Sequence, residues 1–184
     1  MINHDLKCIF VEVPKTGSTS IRSIIGQPET PHLDIRQIKN EIKPEEFDTY
    51  FKFGFVRNPW DRAVSLYNRK EGVQLKHKIS FADFARWHDY ATDTCIHPTR
   101  KKYQLDFFTN SAGELLVDFI GKFENLQEDF SSICDKIGIP RQELPHENKT
   151  NHKHYTEYYD DETREIVAQK YAKDIEYFGY EFGD

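Results

Sequence analysis

The apolar positions of this chain change period several times, and each change predicts a new element. "KCIFVEV" (7–13) is a short apolar stretch of β-branched and aromatic residues that runs into Pro-Lys-Thr-Gly, which predicts a buried strand and then a loop. In "STSIRSII" the residues Ile21, Ile24 and Ile25 recur at helical spacing, and Gly26 with Pro28 supplies the stop. A short amphipathic helix is predicted from Asp34 to Ile42, with Ile35, Ile38 and Ile42 on one stripe. "YFKFGFVR" (50–57) predicts a second strand. It runs straight into "NPWDRAVSLYNR", where Asn58 can cap, Pro59 takes the first helical position and Asp61 suits the positive helix end. Ser80 with Asp83 opens a further helix.

The second half repeats the alternation. "ELLVDFIGKF" (114–123) predicts a third strand, and "ENLQEDFSSICDKIG" places Leu126, Phe130, Ile133 and Ile137 on one helical face, ended by Gly138 and Pro140. After the polar loop "LPHENKTNHKHY", a last helix starts in the acidic "DDET" and buries Val167, Tyr171 and Ile175. Strands alternating with helices predict an α/β fold, a mainly parallel central sheet flanked by helices. At 184 residues the expectation is a single domain, 1–184. Ligands of such sheets bind at the carboxyl ends of strands, where both the Lys15 loop and the Arg57 segment begin.

Composition narrows the class. Hydrophobic residues make up 38%, with 14 Phe and 10 Tyr, which is globular rather than disordered. The net charge of −6 argues against a general nucleic-acid binder and leaves room for a local basic pocket. Cys8, Cys95 and Cys134 show no CxxC spacing, and Cys8 and Cys134 sit in apolar patterns, which reads as a reducing compartment. No apolar run approaches the roughly 20 residues of a membrane span. "MINHDLKC" also lacks the apolar stretch of a secretory signal. The expectation is a cytoplasmic protein with no membrane insertion; oligomeric state has no signature.

"PKTGSTS" carries the first candidate chemistry. Gly17 permits a tight turn and a close approach, Ser18, Thr19 and Ser20 bring hydroxyls, and the following helix offers unpaired N–H groups. Lys15 adds a full positive charge. This describes an anion cradle on a helix N-terminus. It is not GxxxxGK[ST], because the lysine precedes the glycine, and no acidic strand end offers itself for magnesium. In "FGFVRNPWDRAVSLY", Arg57 stands at a strand end and Ser65 follows eight residues on. Positions 58, 61, 62 and 65 share one helix face, while Trp60, Ala63, Val64 and Tyr67 point to the core. Arg57 and Ser65 suit one further phosphate, and Arg57 paired only with Asp61 is the plainer alternative.

The chain resembles a known family on these residues. "FVEVPKTGSTSI" looks like the 5′-phosphosulfate loop of sulfotransferases that use 3′-phosphoadenosine 5′-phosphosulfate (PAPS), and "FVRNPWDRAVS" like their 3′-phosphate motif. "VDFIGKFENLQEDF" and "LPHENKTNHKHYTEYYDDET…FGYEF" resemble later portions of carbohydrate-type, compact bacterial-like members, so the likeness runs from about Lys7 to Phe182. The resemblance implies a P-loop-like three-layer fold and a PAPS donor, leaving 3′-phosphoadenosine 5′-phosphate, with no metal. It implies that Lys15, Thr16, Gly17, Ser18, Thr19 and Ser20 surround the 5′-phosphosulfate and that Arg57 and Ser65 bind the 3′-phosphate. The acceptor is a hydroxyl, with a saccharide as first choice. Relatives often carry a second glycine where Ser18 stands and a histidine where Glu12 stands.

Sulfuryl transfer needs an aligned acceptor hydroxyl, a base for its proton and a cation where charge grows on the bridging oxygen. Lys15 is the expected cation and His32, in "TPHLDIRQI", the expected base, with Glu12 second. His146, His152 and His154 share one polar loop with no supporting ligand pattern, and Lys149 there lies near a phosphate in this reading. "HPTRKKYQ" (97–104) reads as a solvated basic face, or as a contact for an anionic acceptor. Glu124 and Asp129 fall on one predicted helix, which says nothing about the facing geometry a glycosidase pair needs. Two rival functions stay open: a magnesium-dependent P-loop kinase, and a nucleotide-binding protein of this fold without catalysis.

Overall fold

The computed structural model describes residues 1–69, 75–89, 101–145 and 153–184. They group into two compact units, one of Met1–Val56 with Asp106–Asn148, the other of Arg57–Leu105 with Lys149–Asp184. Cys95, His146, Lys149, His152 and the first half of "HPTRKKYQ" lie outside the described residues.

The first unit holds the sheet. Among the described residues it has four strands in the order β1 (Ile2–Asn3), β2 (Cys8–Val11), β3 (Phe51–Val56) and β4 (Phe119–Lys122). β1 pairs antiparallel with β2; β2–β3 and β3–β4 are parallel, with Val11 opposite Gly54 and Phe55 opposite Gly121. The mainly parallel α/β sheet expected from the alternation is present. The third strand is shorter than the 114–123 expected, because the chain first makes a bridge between Thr109 and Leu115 and joins the sheet only at Phe119.

Alternate strand residues face opposite sides. One face carries Cys8, Phe10, Phe53 and Phe55, and buries them against Ile21 and Ile25 of α1 (Ser18–Ile25) and Phe130, Ile133 and Cys134 of α6 (Leu126–Ile137). Phe10 and Phe53 stack with centroids 5.1 Å apart. The thiols of Cys8 and Cys134 are buried and unpaired, and burial pushes Cys8 up to about 11. On the other face Lys52 reaches α3 (Pro44–Thr49), its ammonium donating to the carbonyls of Phe47 at 3.1 Å and Tyr50 at 2.7 Å. Helices therefore flank both faces, as a three-layer arrangement requires. Asp34 closes a capping box with Gln37 at the start of α2 (Ile35–Glu41), and α6 ends on left-handed Gly138.

Gly54 is the tight point of the sheet. A Cβ there would sit 2.7 Å from the Val11 carbonyl oxygen and run into the Phe108 ring. Glycine is needed because the neighbouring strand and a phenylalanine occupy the space a side chain would use.

The second unit is helical and aromatic. α4 (Pro59–Tyr67) starts at Asn58, whose side chain accepts from the Trp60 N–H. The expected split into a polar face and a core face does not hold: Arg62 and Ser65 are buried along with Trp60, Ala63, Val64 and Tyr67. Packing on several sides overrides the helical periodicity. Trp60 donates its indole N–H to the Arg164 carbonyl at 3.0 Å, and Tyr67 meets Phe81 and Phe84 of α5 (Phe81–Trp87). Ser80 caps α5 through the Asp83 N–H as expected. The last helix is two: α7 (Asp161–Lys170) and α8 (Ala172–Phe178), broken at Tyr171. The break turns Asp174 fully inward, while Ile175, expected in the core, is half-buried.

His88 ends α5, stacked on Phe84 at 4.8 Å. Burial first, then the Arg62 and Lys170 charges, push its imidazole down to about 3. An unfolded chain would protonate it near the ordinary value of 6.5, so between those two values the unfolded state binds the extra proton and stability falls as pH falls.

Two outcomes follow. Gly54→Ala is expected to cost about 1–3 kcal/mol in denaturant unfolding, and an unchanged midpoint contradicts the tight contact. Between pH 7 and pH 5 the parent should lose about 2 kcal/mol more stability than His88→Phe, since a proton taken up by the unfolded state contributes ~1.4 kcal/mol per pH unit. Parallel pH profiles for the two proteins would show that His88 titrates normally.

Candidate functional site

The parallel pairing sets the carboxyl ends of β2 and β3 side by side, and the chain leaves β2 through the loop 12–17. This loop is held from within. The Thr16 hydroxyl, fully buried, donates to the Val13 carbonyl at 2.9 Å. Lys15 takes φ 71 and Gly17 φ 84, so the backbone changes hand around Thr16, the kind of alternation that turns successive N–H groups toward a common point. Left-handed backbone is strained for lysine and must be maintained by its surroundings. Gly17 is needed twice, for its φ and because a Cβ would meet Leu126 Cδ2 at 2.8 Å.

Gly17 is the N-cap of α1, and among the described residues no side chain caps that helix end. The Ser20 N–H turns back to the Gly17 carbonyl at 3.1 Å. Ser18 and Ser20 are buried, whereas Lys15 and Thr19 are half-exposed. The donor set is a lysine, hydroxyls and a helix N-terminus without a side-chain cap, and that chemistry fits an anion.

His32 belongs to the same unit and comes to the same strand end. Its Nδ1 lies 3.2 Å from the Glu12 carbonyl oxygen, and its φ of 63 holds it in left-handed backbone before the Asp34 cap. A carbonyl only accepts, so Nδ1 carries the hydrogen of this bond and the neutral ring has its lone pair on Nε2. His32 is half-buried.

Glu12, the second candidate base, is 1% exposed and has the Arg22 guanidinium at 3.5 Å. Among the described residues neither carboxylate oxygen accepts a hydrogen bond. Burial raises its pKa, and the chain's amino group and Arg22 pull it back in part. It is a buried group paired with Arg22.

In the second unit, Arg57 follows β3 directly and is buried. Its Nε and Nη2 both reach Asp61 Oδ2 at 2.8 Å, so the pairing weighed from the sequence is made. Its backbone is held by Gln104: the Arg57 N–H donates to Oε1 at 3.0 Å, and Nε2 donates to the Arg57 carbonyl at 2.8 Å. Ser65 stands one helical turn after Asp61 and is buried. Sequence reading missed Gln104, placing it in a solvated basic run, yet it is fully buried. Of the same run, Lys102 pairs with Asp89 at 3.8 Å. His154 keeps its Nδ1 at 2.8 Å from the Thr156 hydroxyl, and among the described residues no group of three or more His, Cys, Asp or Glu is placed for a metal. Asp129 accepts from the Lys122 N–H at 2.7 Å, a structural bond at the end of β4.

A parallel sheet whose strand ends feed an anion-type loop and helix N-terminus defines an α/β protein of the P-loop-like class. The sulfotransferase family model matches residues 1–181, and the chain belongs to that family. It is similar to an uncharacterized protein of Archaeoglobus fulgidus, 31% identical, the match covering 57% of this chain and 82% of that one. It is 24% identical to carbohydrate sulfotransferase 14 of Danio rerio, over 98% of this chain and 61% of the relative. With human carbohydrate sulfotransferase 9 the identity is 25%, over 92% and 46%. The chain thus spans about half to three fifths of the length of these two animal proteins. No solved structure matches it.

Proposed function

We propose that the protein transfers a sulfuryl group from PAPS to a hydroxyl, with a saccharide as the favoured acceptor. One observation carries this reading: a strained loop holds Lys15 just before the start of α1, and His32 is anchored to the same strand end. The names of the two animal relatives favour a carbohydrate acceptor. Membership of the sulfotransferase family, rather than of a kinase family, favours PAPS over ATP.

In this reading both units act as one domain, 1–184. Lys15, Thr16, Gly17, Ser18, Thr19 and Ser20 take the 5′-phosphosulfate, and Arg57 with Ser65 takes the 3′-phosphate. The donor supplies an activated sulfuryl group. His32 receives the acceptor's proton at Nε2, its ring orientation fixed by the Nδ1 bond to Glu12. The acceptor oxygen forms a bond to sulfur as the bond from sulfur to the donor's phosphate oxygen breaks, and Lys15 supplies the cation for the charge left there. Glu12, buried against Arg22, has no part in proton transfer. No metal enters the scheme. The buried thiols of Cys8 and Cys134 fit a cytoplasmic location.

Calorimetric titration tests the donor. The protein should bind 3′-phosphoadenosine 5′-phosphate without magnesium and more tightly than ATP with magnesium; the reverse order points to phosphoryl transfer. With labelled PAPS and pooled saccharide acceptors, His32→Ala should keep nucleotide affinity and lose about 10²–10⁴-fold in turnover. Near-parent turnover in that variant removes His32 from the base role, and nucleotide binding without transfer to any acceptor favours a non-catalytic member.

A further inference from the structure

Arg57 is fixed from both ends. Asp61 holds the guanidinium, and Gln104 holds the backbone N–H and carbonyl with one side-chain amide, the exchange a neighbouring strand would make. Gln104 is itself fixed by Asp174 of α8: the Gln104 N–H donates to Asp174 Oδ2 at 2.8 Å and the Leu105 N–H to Oδ1 at 3.1 Å. Gln104 and Asp174 are both fully buried, and Arg57 is 8% exposed. Taking a carboxylate and a primary amide out of water is costly, and hydrogen bonds of this kind are what offset it. An apolar contact would fill the space at less cost but would not place one arginine's backbone.

We propose that Gln104, held by Asp174, is a positioning residue that presets Arg57 for the 3′-phosphate of the donor. The inference rests on the PAPS reading and deepens it. A guanidinium fork gains specificity from its planar geometry, so rotation of the residue behind it lowers affinity for the phosphate it faces while the rest of the ligand is unaffected.

The readout is the preference for 3′-phosphoadenosine 5′-phosphate over adenosine 5′-phosphate, which differ only in the 3′-phosphate. Unfolding of part of the sample weakens both ligands alike and leaves this ratio unchanged, so a purely structural role does not move it. The parent should prefer the 3′-phosphorylated ligand by at least about tenfold, as expected for hydrogen bonds to a charged group. Gln104→Met should reduce that ratio to about threefold or less. In the background of Arg57→Ala, which leaves only what Ser65 contributes to the preference, adding Gln104→Met should change the ratio no further. If Gln104→Met does not fold, Gln104→Glu serves, because it keeps the acceptor for the Arg57 N–H and loses the donor to the Arg57 carbonyl. It should lose part of the preference. A parent preference retained in full by the foldable Gln104 variant overturns the inference and leaves the function standing. A parent with no preference overturns both.

Discussion

Two parallel strands can carry a ligand loop at a fixed place only if their backbones lie at ladder distance, and here that closeness depends on one missing side chain. Gly54 lies beside the Val11 carbonyl and under the Phe108 ring, with no room for a Cβ. Alternation along β3 sends Phe53 and Phe55, on either side of Gly54, to the opposite face, where they join Phe10 in the core. Gly121 repeats the device on β4, where a Cβ would collide with Phe55. The strand ends from which the candidate chemistry departs are thus set by close packing before any ligand contact is made.

The loop after β2 shows the same logic on a smaller scale. Left-handed Lys15, Gly17 and His32 are held by short-range anchors: the Thr16 hydroxyl on Val13, the Leu126 and Phe123 side chains against Gly17, and the His32 ring on Glu12. At the two non-glycine positions, Lys15 and His32, strain of about 1–3 kcal/mol each persists only where surrounding contacts over-determine it. Buried charge is distributed with similar economy. Lys52, Arg57 and Asp174 meet backbone groups or an opposite charge, whereas Glu12 is buried without a hydrogen bond among the described residues, and burial weakens its acid more than the amino terminus and Arg22 restore it.

Much of this was legible because local pattern and local structure agree. The apolar stretch at β2, the helical spacing of Ile21 and Ile25, the Asn58-Pro59 start of α4, the Ser80 cap and the Gly138 stop each act through neighbours a few residues away. Lys15 and Gly17 were visible as a candidate loop for the same reason, since a lysine beside a glycine before a helix is a local signature. The two-residue edge strand β1 and the single helix α3 escaped, being too short for any period to show. Gln104 escaped for another reason. Its polar, basic neighbourhood reads as a solvated face, and its partner Asp174 is 70 residues away.

The sequence by itself determined the alternation of strand and helix, the loop chemistry around Lys15, the arginine at the end of β3 and, through its motifs, the sulfotransferase resemblance. Those features depend on the order of side chains along a few residues, which the chain carries whether folded or not. The tertiary structure alone decided which polar groups lose their water. Asp174 turned inward at a helix break, Arg62 and Ser65 were enclosed on a helix that looked two-faced, and Glu12 was separated from His32 in exposure although both stand at one strand end. Burial is a property of what packs against a residue, and those partners are brought there by the fold.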